Sequence, residues 1–158
     1  MNAFSNFLLL VPLTLWAGGF TMLMVFVAPI LFGHLPSRTL SGNLIDLILH
    51  RVEILKMINF LGVATSECIK YLFHAPPVHG KEILISCLLA SYLFTIFIIE
   101  NAIQKKIQGL RTLIVSFDEL PKEDPLRKQF GYWHGMMMSC TTVSVFLAFS
   151  VLLLRFVL

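Results

Sequence analysis

The chain has 158 residues, of which 57% are hydrophobic and only 13% are charged, and its net charge is +3. A soluble domain carries roughly 25% charged residues, so this composition excludes an ordinary soluble fold and predicts apolar surface that faces a lipid bilayer. The small positive charge does not favour a nucleic-acid partner. The length predicts a single domain over residues 1–158.

The first apolar stretch contains no Asp, Glu, Lys or Arg before Arg38. It predicts a membrane-spanning helix over about 6–32, which is longer than a bilayer core requires and should therefore tilt or bend. Trp16 lies near the middle of this helix, and Gly18 and Gly19 follow it. Because glycine has no side chain, this pair is expected to let a neighbouring helix approach closely.

The second stretch begins with an amphipathic helix that leads into a span over about 54–73. Three polar residues of the amphipathic part, Asp46, His50 and Glu53, share one helical face. Such a face could bind a divalent cation. The wet side of a helix at the membrane interface is the alternative interpretation of the same pattern.

The second span carries two charged residues, Glu67 and Lys70. A carboxylate inside a membrane is costly, so Glu67 is expected to face the helix bundle and to pair with Lys70 at i+3. One interpretation of this pair is a proton or cation relay. The other is an ion pair whose lysine extends toward the lipid headgroups.

A short loop with two prolines ends the second span, and His74 and His79 flank these prolines. Together with Cys68 and Cys87, the two imidazoles could bind a metal ion at the outer surface. A simple polar turn is the alternative interpretation. The third span follows over about 83–103.

An Asp-Pro pair at 124–125 predicts the start of the last helix, whose span covers about 130–154. His134 lies nearly three turns into this helix, and Met137 and Met138 share its face at i+3 and i+4. Imidazole and thioether ligands suit copper, and imidazole also binds haem iron, so these three residues are the predicted cofactor site. Packing by flexible methionines is the alternative.

Four spans predict an all-α, polytopic membrane protein, a four-helix antiparallel transmembrane bundle. Nine of the twelve basic residues lie in or beside the first and third loops: Arg38, Arg51, Lys56, Lys105, Lys106, Arg111, Lys122, Arg127 and Lys128. The positive-inside rule then puts loops 33–53 and 104–129 in the cytoplasm. Both termini are expected outside, in the periplasm, if the membrane is a bacterial inner membrane.

Three pieces of the chain carry a family resemblance. They are LWAGG at 15–19 with APILF at 28–32, the amphipathic entry to the second span, and FGYWHGM at 130–136. Together they resemble the four-helix membrane domain of unknown function shared by bacterial proteins and the human transmembrane-protein-205-like proteins. A more distant similarity is to copper-resistance membrane proteins of the CopD type and to four-helix haem-pathway membrane proteins. The resemblance implies copper or haem binding, although the chain lacks the Met-x-x-Met and Cys-x-x-Cys runs of a copper protein.

Three hypotheses of function follow. The first is a small membrane protein that binds or transports a metal, a haem or another small solute within its bundle. The second is a non-catalytic accessory subunit that packs its small-residue face against a larger membrane complex or a second copy of itself. The third is a membrane oxidoreductase with a haem on His134. Phosphate-binding loops and nucleophile elbows are absent from the sequence, which favours a non-catalytic role.

Overall fold

The computed structural model describes residues 3–73, 80–114 and 116–156, and these residues form helices and short turns without a strand. The helices are α1 (Ala3–Met22), α2 (Ala28–His34), α3 (Arg38–Phe73), α4 (Gly80–Phe94), α5 (Glu100–Arg111) and α6 (Pro125–Phe156). Two π-helical segments, Leu23–Val27 and Thr95–Ile99, join α1 to α2 and α4 to α5. Each of these pairs is therefore one continuous helix, and the predicted all-α class is confirmed.

Three of the helical segments are long and apolar enough to cross a membrane: Phe4–His34, Gly80–Arg111 and Pro125–Phe156. They contain the first, third and fourth predicted spans. A helix of such length extends for about 47 Å at ~1.5 Å per residue, which exceeds a hydrocarbon core of about 30 Å. The chain therefore has the apolar helices that an integral membrane protein in contact with a lipid bilayer requires.

The π-helical segment between α1 and α2 has a local cause in Pro29. Proline lacks an N–H, and its ring excludes the carbonyl of Val25 from an ordinary helical hydrogen bond. The preceding turn widens, and the Ala28 N–H donates to the carbonyl of Leu23, five residues back. Such wide turns re-satisfy the backbone around a proline and bend the helix locally.

The start of α3 is tied to the loop between α5 and α6 by Asp118. Its carboxylate accepts hydrogen bonds from the Ser37 hydroxyl at 2.5 Å and from the Arg38 N–H at 2.9 Å. These bonds, that of Ser37 first, lower the pKa of Asp118 from its ordinary value of 3.8 to about 2. The loop and the N-terminus of α3 are thus held together by one ionised side chain.

The second half of α3 is polar inside and apolar outside. Its exposed side chains include Ile54, Leu61 and Leu72, which are 55%, 59% and 77% exposed, whereas Asn59 and Lys70 are 0% and 4% exposed. A helix on the surface of a water-soluble protein has the opposite arrangement, with apolar side chains buried and polar side chains exposed. The helix is too charged to be counted among the three apolar helices, yet its outer surface is suited to lipid.

The apolar core forms where α1, α3, α4 and α6 pack together. It contains Leu9, Leu13, Trp16, Ala17, Val63, Ile85, Leu89, Tyr92, Ile96, Ala148 and Val151. The indole of Trp16 stacks on Phe20, with ring centroids 5.8 Å apart, and meets the ring of Tyr92 edge-on at 5.6 Å. Trp16 is therefore a core residue that contacts the only tyrosine of this cluster.

The close helix contact predicted at Gly18 and Gly19 is not made with any described residue. Both glycines are exposed, and a Cβ on either would meet no described neighbouring residue within 4 Å. The close approach occurs at Gly62 of α3, where a Cβ would lie 2.7 Å from Pro12 Cγ and 2.8 Å from the Leu8 carbonyl oxygen. A lone glycine in a partly charged helix gave no pattern that pointed to this contact.

Candidate functional site

A buried ion pair joins α3 to the beginning of α5. The ammonium nitrogen of Lys56 lies 3.3 Å from Glu100 Oε2, and the two side chains are only 12% and 5% exposed. The hydroxyl of Ser144, on α6, donates to Glu100 Oε1 at 3.3 Å. Desolvating two charges is expensive, so a pair at this position calls for an explanation beyond stability.

The local backbone around Glu100 is also unusual. Glu100 directly follows the π-helical segment Thr95–Ile99, and its N–H donates to the carbonyl of Thr95, five residues back. No proline lies in or just after this segment, so the cause given for the first wide turn does not apply here. Wide turns of this kind are frequent at functional sites.

A second buried polar contact lies one turn further along α3. The amide nitrogen of Asn59 donates to the hydroxyl of Tyr92, and both side chains are fully buried. The other end of the amide, Asn59 Oδ1, is buried and has no hydrogen-bond partner among the described residues. An oxygen left in this state is an acceptor for a water molecule or for a bound cation.

Buried apolar residues separate these contacts from a second polar cluster. They are Val63 on α3, Leu89 on α4 and Ala148 on α6, each of which is fully or almost fully buried. On every one of these helices the apolar residue lies between two buried or half-buried polar positions. The interior is therefore layered as polar, apolar and polar along the helices.

The second cluster contains four charged residues, Glu67, Lys70, Glu82 and Arg155. The ammonium of Lys70 lies 3.0 Å from Glu82 Oε2 and 3.4 Å from Glu67 Oε2. The guanidinium of Arg155 binds both carboxylate oxygens of Glu82, at 2.8 and 3.1 Å. Although Glu67 Oε1 has no partner among the described residues, the two positive and two negative charges balance.

The predicted pairing of Glu67 with Lys70 is thus present, whereas the participation of Glu82 and Arg155 was missed. These two residues are distant in sequence, at the start of α4 and the end of α6. They meet only because the two helices pack side by side. A pattern within one helix cannot reveal such a partner.

His134 lies apart from both clusters. Its side chain is exposed, and its ring stacks on that of Phe130 with centroids 5.7 Å apart. Met137 and Met138 are half-buried on the same helix. Within the described ranges, no group of three or more His, Cys, Asp or Glu side chains could hold a metal ion. The copper or haem site at these three residues therefore stays a prediction.

The cation site predicted on the face of Asp46, His50 and Glu53 is not formed. The carboxylate of Asp46 binds the guanidinium of Arg111 instead. His50 Nδ1 lies 3.3 Å from Glu53 Oε2, and Glu53 Oε1 accepts a hydrogen bond from the Gln104 amide at 2.5 Å. His50 and Glu53 contact each other while Asp46 pairs with Arg111, so the three side chains do not converge on one point.

The other predicted metal ligands, His74 and His79, lie outside the described residues. Cys68 and Cys87, which were expected near them, are exposed free thiols. The outer metal site therefore stays a prediction.

No family model, curated protein or solved structure matches this chain. The resemblance to the transmembrane-protein-205-like and CopD-type proteins stays a prediction in consequence. The function has to be inferred from the chemistry of the buried polar residues themselves.

The contacts around Glu100 and Asn59 form the strongest candidate site, which we call the central site: Lys56, Asn59, Tyr92, Glu100 and Ser144. It offers carboxylate, hydroxyl and amide oxygens, which are the ligands that hard cations prefer, and a carboxylate can also accept a proton. One signal in the sequence could have revealed it. Lys56, Asn59, Val63, Ser66 and Lys70 recur at helical spacing and mark the inward face of α3.

Proposed function

We propose that this chain is a small integral membrane protein that folds as a four-helix antiparallel transmembrane bundle and binds or transports a small solute within it. A cation or a proton is the solute that the chemistry favours. The buried Lys56–Glu100 pair carries the proposal, because ionisable residues inside a membrane helix bundle usually mark an ion or substrate path.

In this proposal the second half of α3 is the second of the four spans, in addition to the three apolar helices. Its apolar outer surface supports that assignment, since a charged helix can cross a membrane when its charges face the bundle. Contacts at the helix ends support the antiparallel arrangement. Ser5, near the start of α1, lies 3.1 Å from Ser66, near the end of α3, measured between the two hydroxyl oxygens.

The proposed orientation has loops 33–53 and 104–129 in the cytoplasm and both termini outside. The excess of Lys and Arg in these two loops supports it through the positive-inside rule. A bacterial inner membrane is the proposed location. In this orientation the central site lies nearer the cytoplasmic side, and the cluster of Glu67, Lys70, Glu82 and Arg155 lies nearer the outside.

The central site suggests how a cation could be exchanged. When a cation or proton reaches Glu100, the attraction that holds Lys56 to this carboxylate weakens. Lys56 has a second acceptor in reach, because its ammonium lies 3.3 Å from the side-chain oxygen of Asn101. The ammonium can thus move aside without losing every partner, which keeps the cost of releasing Glu100 low.

A proton-flux assay tests this proposal. The purified protein is reconstituted into vesicles that contain a pH-sensitive dye, and the decay of an imposed pH gradient is followed. We expect wild-type vesicles to lose the gradient faster than empty ones, and Glu100→Gln to reduce the protein-dependent rate by at least about tenfold, as loss of a proton-transfer group does. Glu119→Gln is the matched control, because Glu119 is exposed in the loop between α5 and α6.

Equal fluxes through the Glu100→Gln and wild-type proteins would contradict a role for this carboxylate. The same purified sample addresses the haem and copper hypotheses. Two results would favour a cofactor protein over a cation path. One is a Soret band that disappears in His134→Ala, which would also favour the membrane oxidoreductase. The other is copper bound in a fixed ratio to protein and lost in the same variant.

A second candidate function is an accessory subunit of a larger membrane complex. The observation that favours it is the outward position of Gly18 and Gly19, which form a small-residue surface that no described residue covers. Such surfaces commonly pack against another transmembrane helix. Gly18→Leu should then leave the isolated protein as stable as the wild type while abolishing co-purification of its partner.

A further inference from the structure

A shallow groove of about 340 Å³ lies between the end of α5 and the start of α6. It is lined by Lys105, Lys106, Gly109, Leu110, Leu113, Gln129 and Trp133. None of these residues belongs to the central site, so the groove requires an explanation of its own.

The groove is positively charged. Lys105 and Lys106 are both exposed, and neither forms an ion pair with a residue in the described part of the chain. No acidic residue lines the groove. Two ammonium groups beside one opening are therefore available to a ligand that carries a negative charge.

The rest of the lining is typical of the membrane interface. The indole of Trp133 and the side chains of Leu110 and Leu113 give apolar surface, and tryptophan prefers the level of the lipid headgroups. The groove lies where two of the apolar helices approach their ends. A ligand here would be partly apolar and partly anionic.

We propose that this groove binds an anionic phospholipid, with the phosphate between Lys105 and Lys106 and the glycerol region against Trp133. Basic pockets between transmembrane helices on the cytoplasmic side are suited to such headgroups. The groove is open at its rim, where Leu113 is 62% exposed, so in the proposed membrane setting a lipid can enter it from the side. The proposal does not depend on what the central site does.

Native mass spectrometry of the full-length protein in detergent tests this inference. Dioleoylphosphatidylglycerol is titrated in parallel with zwitterionic dioleoylphosphatidylcholine. Each basic residue near an anionic lipid contributes about 1 kcal/mol, so Lys105→Gln/Lys106→Gln should weaken binding of the anionic lipid about 30-fold. Lys81→Gln/Lys122→Gln removes the same charge outside the groove, with Lys81 at the opposite end of the continuous helix Gly80–Arg111, and should weaken binding no more than about threefold, since distant surface charges are screened.

A second variant keeps both charges and fills the space. A Cβ at Gly109 would meet no described neighbour within 4 Å, so Gly109→Leu is expected to fold. Its side chain would occupy the groove and should also weaken binding of the anionic lipid. This variant keeps the test decisive if the lysine variant fails to fold.

Inorganic phosphate separates a lipid site from a general anion site. At the concentration that saturates the lipid it should not displace the lipid, because it lacks the apolar part that the groove accommodates. Equal binding of the two lipids, equal losses in the two lysine variants, full binding by Gly109→Leu, or displacement by phosphate would each overturn the proposal.

Discussion

The interior between the packed helices contains two charged regions, each of which pairs Glu with Lys in a different way. In the cluster of Glu67, Lys70, Glu82 and Arg155, one carboxylate binds two cations and so connects the ends of three helices. In the central site, one carboxylate and one ammonium face each other beside hydroxyl and amide groups. Glu82 binds two cations and Glu100 binds one, so we interpret the first region as a clamp that holds helix ends together and propose the second as the site of exchange.

The largest effect on stability is expected at Glu82, because removing it leaves two cations, Lys70 and Arg155, without their common partner. Loss of one member of a buried ion pair costs about 3–5 kcal/mol, and partial exposure of Glu82 reduces this to about 2–3 kcal/mol for Glu82→Gln. Unfolding of the detergent-solubilised protein measures it. Glu67→Gln serves as the control and should cost less, since Lys70 is the one charged residue in the described part of the chain that Glu67 contacts.

Glu82→Gln also tests whether the four-charge cluster takes part in the proton flux. If the four-charge cluster is a clamp, Glu82→Gln protein that remains folded should keep most of its proton flux. Complete loss of flux in a variant with wild-type stability would instead make Glu82 part of the path.

The next largest effect is expected at Gly62, where α3 passes close to α1. The added methyl group of Gly62→Ala would meet Pro12 Cγ and the Leu8 carbonyl at less than 3.0 Å. Overpacking of this kind costs roughly 1–3 kcal/mol. Gly18→Ala adds the same methyl group where no described neighbour lies within 4 Å, so its unfolding curve should match the wild type. Identical stabilities of the two variants would contradict the close approach of α3 to α1.

The smallest effect concerns the loop that Asp118 ties to α3, outside both charged regions. The pKa of Asp118 is about 2 in the folded chain and 3.8 ordinarily. Because the folded value is the lower one, its contribution is complete above about pH 4 and is lost as the pH falls toward 2. Protection against hydrogen exchange, corrected for the intrinsic exchange rate at each pH, should fall over this range in residues 112–114 and 116–124 of the wild type.

Asp118→Asn removes the titrating carboxylate and is the matched variant. Its loop should be less protected than that of the wild type at pH 5, and its protection, corrected for the intrinsic rate, should show little further change down to pH 2. A wild-type loop whose exchange follows that of the variant at every pH would mean that Asp118 does not hold the loop.

The sequence predicted those features that depend on residues close together in the chain. Long uncharged runs predicted the three apolar helices, and Asp124 caps α6 as expected, with its carboxylate accepting the Leu126 N–H at 2.8 Å. Which residues of different helices meet inside depends on how the helices pack, and these pairings were missed. Lys56 and Glu100 are 44 residues apart, and neither helix alone shows that they meet.

The glycines illustrate the same limit. The conspicuous pair at 18–19 points outward, while the unremarkable Gly62 makes the close contact. Glycine permits two helices to approach closely, but the packing of all the helices together decides which glycine lies at such a contact.

The most direct test of the central claim is a double-mutant cycle of Lys56→Met and Glu100→Leu, measured for both stability and proton flux. Replacing both charges with apolar residues removes the desolvation cost along with the attraction, so the double variant should be about as stable as the wild type. If the pair is a functional site, the double variant should fold and yet transport no protons. A double variant that regains both stability and wild-type flux would contradict the account, because the pair would then be structural only.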